Sequence, residues 1–242
     1  MAGHSHWKSI KHQKGAADAK RSKLFSKFSK AIMIAARDGG GDPKHNIRLQ
    51  YAIDKARAGN MNKDAIEKAI KKATGEGSAV VYEELNYEGY GPGGIAFLVE
   101  TLSDNRNRTA PELRRVFDVK GGKLGSPGST ARFFERKGLL AVAKETATEE
   151  QIFEIATEAG AEDIQTGEDA YHITTGPQEF VHVKKALVDK GFELAQAELA
   201  YVATATIQVD GKDAPKVEGL IEALEDHEDV QNVYTNFGGV QG

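Results

Sequence analysis

The 242-residue chain contains no cysteine. That excludes disulfides, thiolate nucleophiles and cysteine-ligated zinc or iron–sulfur centres, and it fits a reducing, cytoplasmic setting. Long apolar runs are missing as well. No stretch approaches the roughly 18 residues that a membrane span needs, so no membrane partner is expected. The first residues lack the continuous apolar core of a secretory signal. Aromatic residues make up 7% of the chain, and Trp7 is the single tryptophan. Catalytic signatures are equally sparse. No GxSxG, HExxH or nucleophile–base pairing is visible, and the carboxylates spread over predicted helices as solvated faces. The expectation is a protein that is not an enzyme, with no cofactor and no small-molecule substrate.

The scarcity that says most is local. Residues 1–30 hold eight Lys or Arg against one acid, Asp18. Residues 1–75 carry 17 basic and 6 acidic side chains, a net of +11, whereas the remainder carries 15 and 30, a net of −15. The overall charge of −4 hides this division. A basic segment with an aromatic inside it has the chemistry of a polyanion-binding arm, and the acidic body keeps the rest of the chain from coating the polyanion indiscriminately. A basic, acid-poor start also fits an organellar transit peptide, but this one runs straight into a well-patterned helix.

The candidate contacts in this arm are Lys8, Lys11, Lys14, Lys20, Arg21, Lys23 and Lys27, with Lys30 behind them. Each could neutralise a phosphate and release condensed counterions, which makes affinity steeply salt-dependent. Trp7 either stacks on an unpaired base or anchors the arm to the protein. His4, His6 and His12 have no acid at ligand spacing and lack the i, i+4 pair of a zinc helix, so no metal site is read here. They are assigned as phosphate donors whose charge grows below about pH 6.5.

Apolar spacing places helices over residues 18–38, from Asp42-Pro43 onward with Ile47, Tyr51, Ala52 and Ile53 inside, and from Asn60 or Asn62 to Gly75. A linker follows at Gly75-Glu76-Gly77-Ser78. Strands are expected over Val80–Tyr87 and Ile95–Leu102. The loop between them, Gly89-Tyr90-Gly91-Pro92-Gly93-Gly94, satisfies GxGxxG formally, yet it joins two strands and Pro92 lacks an N–H, so it reads as a hairpin loop and not a dinucleotide site. Gly121-Gly122-Lys123 fails as a P-loop because Leu124 follows the lysine. Thr109-Ala-Pro-Glu112 has capping-box spacing for a helix through Leu113 and Phe117.

Residues 138–201 then read β-α-β-β-α-β, the split βαβ order of ferredoxin-like domains. A last β-α-β over 204–234 would complete the sheet begun at Val80. The fold class is therefore multidomain α+β: an N-terminal three-helix domain, then two α+β (ferredoxin-like) domains, the third inserted into the second. The expected domains are 1–78, basic and helical; 79–136 plus 203–242, α+β; and 137–202, the inserted ferredoxin-like unit. In the acidic body one island stands out, Ser103-Asp104-Asn105-Arg106-Asn107-Arg108-Thr109. Arg106 and Arg108 either fork onto phosphate beside a helix N-terminus or pair with Asp104 in a helix-capping loop.

Several long motifs resemble one family along nearly the whole chain: Gly3-His4-Ser5, Trp7, Ile10-Lys11-His12, Asp18-Ala-Lys-Arg21, Ala35-Ala36-Arg37 with Gly39-Gly40-Gly41-Asp42-Pro43, Tyr87-Glu-Gly-Tyr-Gly-Pro-Gly-Gly94 and Ser103-Asp-Asn-Arg-Asn-Arg-Thr109. They are similar to the YebC family, which includes the mitochondrial translational activator of cytochrome oxidase. His6 and Gln13 depart from basic family positions and Ser22 from a glycine, which softens the arm's charge. The resemblance implies a helical N-terminal domain plus two α+β domains. It also implies one of two roles: a DNA-binding transcriptional regulator, or a ribosome-associated translation factor that helps proline runs through the peptidyl-transferase centre. The thin, glycine-punctuated arm and the absence of a recognition helix with Arg, Asn or Gln at its base-reading end favour the second. The expected partners are the ribosome (rRNA and tRNA) or DNA, and the chain is expected to act as a monomer.

Overall fold

The computed structural model describes residues 18–75 and 82–240. The linker expected from Gly75 to Ser78 falls, from Glu76 on, outside the described residues. Three helices come first: α1 Asp18–Gly39, α2 Ile47–Ala58 and α3 Lys63–Thr74. Their shared core repeats at helical spacing, with Phe28, Ile32, Ala35 and Ala36 from α1, Leu49, Ile53 and Ala56 from α2, and Ile66 and Ala69 from α3. Such a stripe is what holds the 12-residue α2 and α3 to α1, since isolated helices of that length are marginal in water.

The second helix starts later than Asp42-Pro43 predicts. Asp42 instead closes a turn, accepting the Lys44 N–H at 3.0 Å. Asn46 is the N-cap: its Oδ1 accepts the Leu49 N–H at 3.0 Å, and its Nδ2 donates to Ala35 O at 2.7 Å and Gly40 O at 2.8 Å. One buried amide thus ends α1 and starts α2. Its buried face is Leu49, Ile53 and Ala56, with Tyr51 and Ala52 half-buried and Ile47 53% exposed. For α3 the cap is Asn62, whose Oδ1 accepts the Ala65 N–H at 2.8 Å.

The α+β part opens with strands β1 Glu83–Tyr90 and β2 Ala96–Ser103, followed by α4 Arg106–Val119 and the short β3 Lys123–Leu124. The chain then leaves for residues 134–204 and returns with β8 Ile207–Val209, α7 Ala214–Glu225, β9 Val230–Thr235 and β10 Phe237–Val240. The antiparallel sheet runs β3-β1-β2-β9, so the returning segment completes it at the β2 edge. Strands β8 and β10 form a separate parallel pair. Ile95, Phe97 and Val99 from the sheet side meet Leu113 and Phe117 of α4 and Val217, Leu220 and Leu224 of α7. The Phe97 and Phe117 rings cross edge to face at 83°, with centroids 5.7 Å apart.

Residues Phe134–Thr204 make a compact unit of their own. It comprises β4 Phe134–Ala143, α5 Glu149–Glu158, β5 Ala161–Thr166, β6 Ala170–Thr175, α6 Phe180–Asp189 and β7 Leu194–Ala203. The antiparallel order β5-β6-β4-β7 is that of the split βαβ. The capping box of α5 is complete, with reciprocal bonds between Thr148 and Gln151. The first strand, β4, begins at Phe134, before the start at 138 that the sequence pattern gives, and follows a 3-10 turn at Ala131–Phe133. In the other α+β unit the order differs, because a hairpin comes before the first helix.

Gly89 shows why a glycine can be needed inside a strand. A Cβ there would sit 2.7 Å from the Phe117 ring and 2.8 Å from the Lys123 carbonyl oxygen. The ring is locked in the core and the carbonyl belongs to the sheet, so neither yields readily. Gly89→Ala is expected to cost about 1–3 kcal/mol by overpacking, read as a lower urea midpoint by circular dichroism. An unchanged midpoint would show that this part of the core is loosely packed.

Candidate nucleic-acid interface

Of the expected contacts, His4, His6, Trp7, Lys8, Lys11, His12 and Lys14 lie outside the described residues. Lys20 is in the first turn of α1. Arg21 is exposed, its guanidinium carbon 5.4 Å from the Phe25 ring centroid. The next three lysines behave differently. Lys23, Lys27 and Lys30 are spaced by four and three residues, so they form one stripe along α1. That stripe faces the C-terminal end of α7. Lys23 Nζ donates to Asp226 O at 3.4 Å, Lys27 Nζ to Glu225 O, and Lys30 Nζ to Glu228 O at 3.1 Å. Helix C-terminal carbonyls lack intrahelical partners and carry partial negative charge, so cations stabilise them. Burial outweighs the attraction of Glu225 and Asp226 for Lys27 and brings its amine down to about 8. Lys27, expected at a phosphate, is committed inside the protein.

Arg108 is the second such case. The loop after β2 folds as a helix cap: Ser103 Oγ lies 2.6 Å from Thr109 Oγ1 and accepts the Asn105 N–H at 2.9 Å. Asn105 then caps α4, accepting the Arg108 N–H at 3.2 Å. Thr109 therefore does not start the helix through a capping box. It lies inside the first turn, fully buried, and donates from Oγ1 to Asp229 Oδ2 at 2.7 Å. Arg108 Nη2 donates to the same oxygen at 2.7 Å and to Asp104 Oδ1 at 3.0 Å. On the other oxygen, Lys30 Nζ approaches Asp229 Oδ1 at 2.7 Å. Arg106, two residues earlier, points to solvent as an exposed side chain.

Asp229 is thus a fully buried carboxylate held by a lysine from α1 and an arginine and threonine from α4. Burial alone would favour its neutral form. The hydrogen bonds from Lys30, Arg108 and Thr109 prevail and hold its pKa down to about 2. Nearby, Lys55 Nζ donates to Asn232 Oδ1 at 2.9 Å and Arg48 pairs with Glu84, so α2 also reaches the α+β sheet.

The glycine loops are likewise organised from within. The first turns through Gly93 and Gly94 at φ +68° and +75° and leads directly into β2. In the second, Glu88 accepts the backbone N–H groups of Gly128, Thr130 and Ala131 at 2.6, 2.6 and 2.7 Å. Burial opposes its charge, but these bonds lower its pKa below the usual range. Amides that could have received a phosphate therefore hold a carboxylate of the chain.

Other cations that sequence reasoning passed over do reach the surface. Lys68, Lys71 and Lys72 are exposed on α3, Arg114 and Arg115 on α4, and Lys120 and Lys123 beyond it. Their signal was present as the helical phase of the buried residues, which turns these positions outward. Among the described residues, no group of three or more His, Asp or Glu could hold a metal ion, and no helix is long and apolar enough to cross a membrane.

Fold and site together define a multidomain α+β protein in which a basic helical domain is joined to an acidic body by the buried Lys30–Asp229 ion pair and by lysine hydrogen bonds to the end of α7. Residues 5–76 match the TACO1/YebC protein N-terminal domain, and residues 82–237 match the TACO1/YebC second and third domain. The chain belongs to the TACO1/YebC family. A relative from Dictyoglomus turgidum is 52% identical, covering 98% of this chain and 96% of its own, and one from Treponema denticola is 53% identical with the same coverage. Both are named probable transcriptional regulatory protein. The crystal structure of a conserved hypothetical protein from Aquifex aeolicus superposes with a TM-score of 0.85 at 44% identity, covering 98% of each chain.

Replacing Asp229 by Asn would leave Lys30 and Arg108 without their shared counter-charge. The expected loss is about 3–5 kcal/mol, as for other broken buried pairs. The pH dependence has a definite sign. A carboxylate depressed from 3.8 to about 2 stabilises the fold above pH 3.8 and loses that contribution as pH falls through 2. The amount is about 2 kcal/mol. Acid titration of wild type and Asp229→Asn by circular dichroism checks it: the variant should lack this part of the acid transition.

Proposed function

We propose that the protein is a non-enzymatic, nucleic-acid-binding regulator of gene expression that works as a ribosome-associated translation factor. The observation that carries this reading is the separation of charge, +11 over residues 1–75 against −15 over the rest. The exposed lysines of α3 extend the basic character of the arm onto the folded helical domain. Meanwhile Lys27 and Lys30 spend their charge on holding that domain to the body, and Lys23 reaches the Asp226 carbonyl from an exposed position. Residues 134–204 hold 14 acids and 6 bases, which disfavours wrapping by the same RNA. In this scheme the arm and helical domain dock on rRNA phosphates, and the α+β units stand near tRNA or a ribosomal protein. Help with peptide-bond formation, including at proline runs, would come from orienting tRNA ends and would need no side-chain chemistry.

A second reading, DNA-binding transcriptional regulation, is supported by the names of the relatives from Dictyoglomus turgidum and Treponema denticola. The two separate in one experiment: co-sedimentation with purified ribosomes over a salt series, beside a shift assay on random and genomic DNA. The translation reading expects ribosome binding at physiological salt and no discrete DNA site. In the same assay Lys8→Ala, Lys11→Ala and Lys14→Ala together should make the salt slope shallower by about 0.7–0.9 for each phosphate no longer neutralised. Ribosome-free protein with a strongly preferred DNA site would establish the second reading instead.

A further inference from the structure

The α+β body was expected to meet RNA through Arg106 and Arg108, and Arg108 belongs to Asp229. Further cations continue along the same helix. Residues 105–133 carry seven Lys or Arg against two acids, a net of +5 inside a body of net −15. Helix α4 buries Thr109, Leu113 and Phe117 at a four-residue period, which turns Arg114 and Arg115 outward. Lys120 caps the helix and Lys123 opens β3, where it lies opposite Tyr90. All four side chains are exposed, and among the described residues none makes an ion pair or side-chain hydrogen bond. Of the two acids, Glu112 is already shared by His227 Nε2 at 3.0 Å and Arg108 Nε at 3.9 Å. Asp118 is exposed and offsets only part of the patch.

Two glycines near these cations face open space. Gly121, at φ +77°, has only a Pro92 carbon at 3.8 Å from where a Cβ would stand, and Gly94 has nothing within 4 Å. Lys120 and Gly121 line an open cleft of about 620 Å³ together with Val119, Pro92 and Gly93. Arg114 to Lys120 spans about 9 Å at the rise of 1.5 Å per residue. The run from Arg114 to Lys123 contains no Asn or Gln, the side chains suited to adenine edges.

We propose that the outward face of α4, continued through Lys120 to Lys123, is a second RNA contact that holds phosphates and does not read bases. Arg114, Arg115, Lys120 and Lys123 each neutralise a phosphate, and the bare glycine backbone lets the strand approach the cleft. This surface replaces Arg108 as the body's anchor and leaves the Asp229 cluster purely structural. It rests on the ribosome-association reading.

The test uses the full chain carrying Arg114→Gln, Arg115→Gln, Lys120→Gln and Lys123→Gln, on purified ribosomes over a potassium chloride series, beside the triple arm variant. The slope of log affinity against log salt should become shallower by about 0.7–0.9 for each phosphate left without its cation. Affinity near physiological salt should fall at least tenfold. The charge-keeping pair Arg114→Lys and Arg115→Lys should retain the wild-type slope. A quadruple variant that binds like wild type, while the arm variant is weakened, overturns this contact and leaves ribosome association standing. Wild-type protein that does not sediment with ribosomes overturns the parent reading. A quadruple variant that loses only duplex DNA binding assigns the surface to DNA and overturns the RNA contact.

Discussion

A charge at zero exposure must be neutralised where it sits, and Asp229 is such a charge. Taking a carboxylate out of water costs several kcal/mol unless partners surround it. Here the partners come from two places distant in sequence, Lys30 from the helical domain and Arg108 with Thr109 from the head of α4. Each of those groups is constrained in turn. Thr109 can reach Asp229 only because Asn105, and not Thr109, caps the helix. Lys30 can reach it only if α1 lies along the end of α7, which also brings Lys23 and Lys27 to the last carbonyls of that helix. Satisfying this buried carboxylate therefore ties the helical domain to the sheet, and the contacts of Lys23, Lys27, Arg48 and Lys55 act in the same direction.

That arrangement divides the basic residues into two populations with different physics. Lys27, Lys30 and Arg108 are desolvated or paired inside the protein, so added salt screens them little. Lys68, Lys71, Lys72, Arg106, Arg114 and Arg115 are exposed, so dissolved salt screens them readily. The body shows the same economy on the acidic side. Glu88 occupies the amides of the Gly128–Ala131 turn, so a loop rich in glycine is closed by an internal carboxylate and does not stand open to an external anion.

Much of the fold was legible. The stripe of Leu24, Phe28, Ile32 and Ala35 at spacings of three and four, the Thr148–Gln151 capping box and the βαββαβ order of residues 138–201 are local patterns, and each folded as its pattern predicts. The misreadings were also local, and each came from a polar side chain with two uses. Asp42-Pro43 resembles a helix start, but Asp42 closes a turn and Asn46 caps. Thr109-Ala-Pro-Glu112 resembles a capping box, but the Thr109 hydroxyl has a better partner in Asp229, 120 residues away. The arm and its histidines lie outside the described residues, so their role rests on composition.

The sequence by itself determined the class of the molecule: the absence of cysteine, the charge asymmetry, and the apolar periods that set helices and strands. Those properties depend on neighbours along the chain. Only the tertiary structure decided which cations face solvent and which are consumed within. Lys27 and Lys30 differ from Lys68 and Lys71, and Arg108 from Arg114, by what the fold brings against them. A charge is free or spent according to distance in space, and no spacing along the chain records that Asp229 lies 2.7 Å from residues 30 and 108.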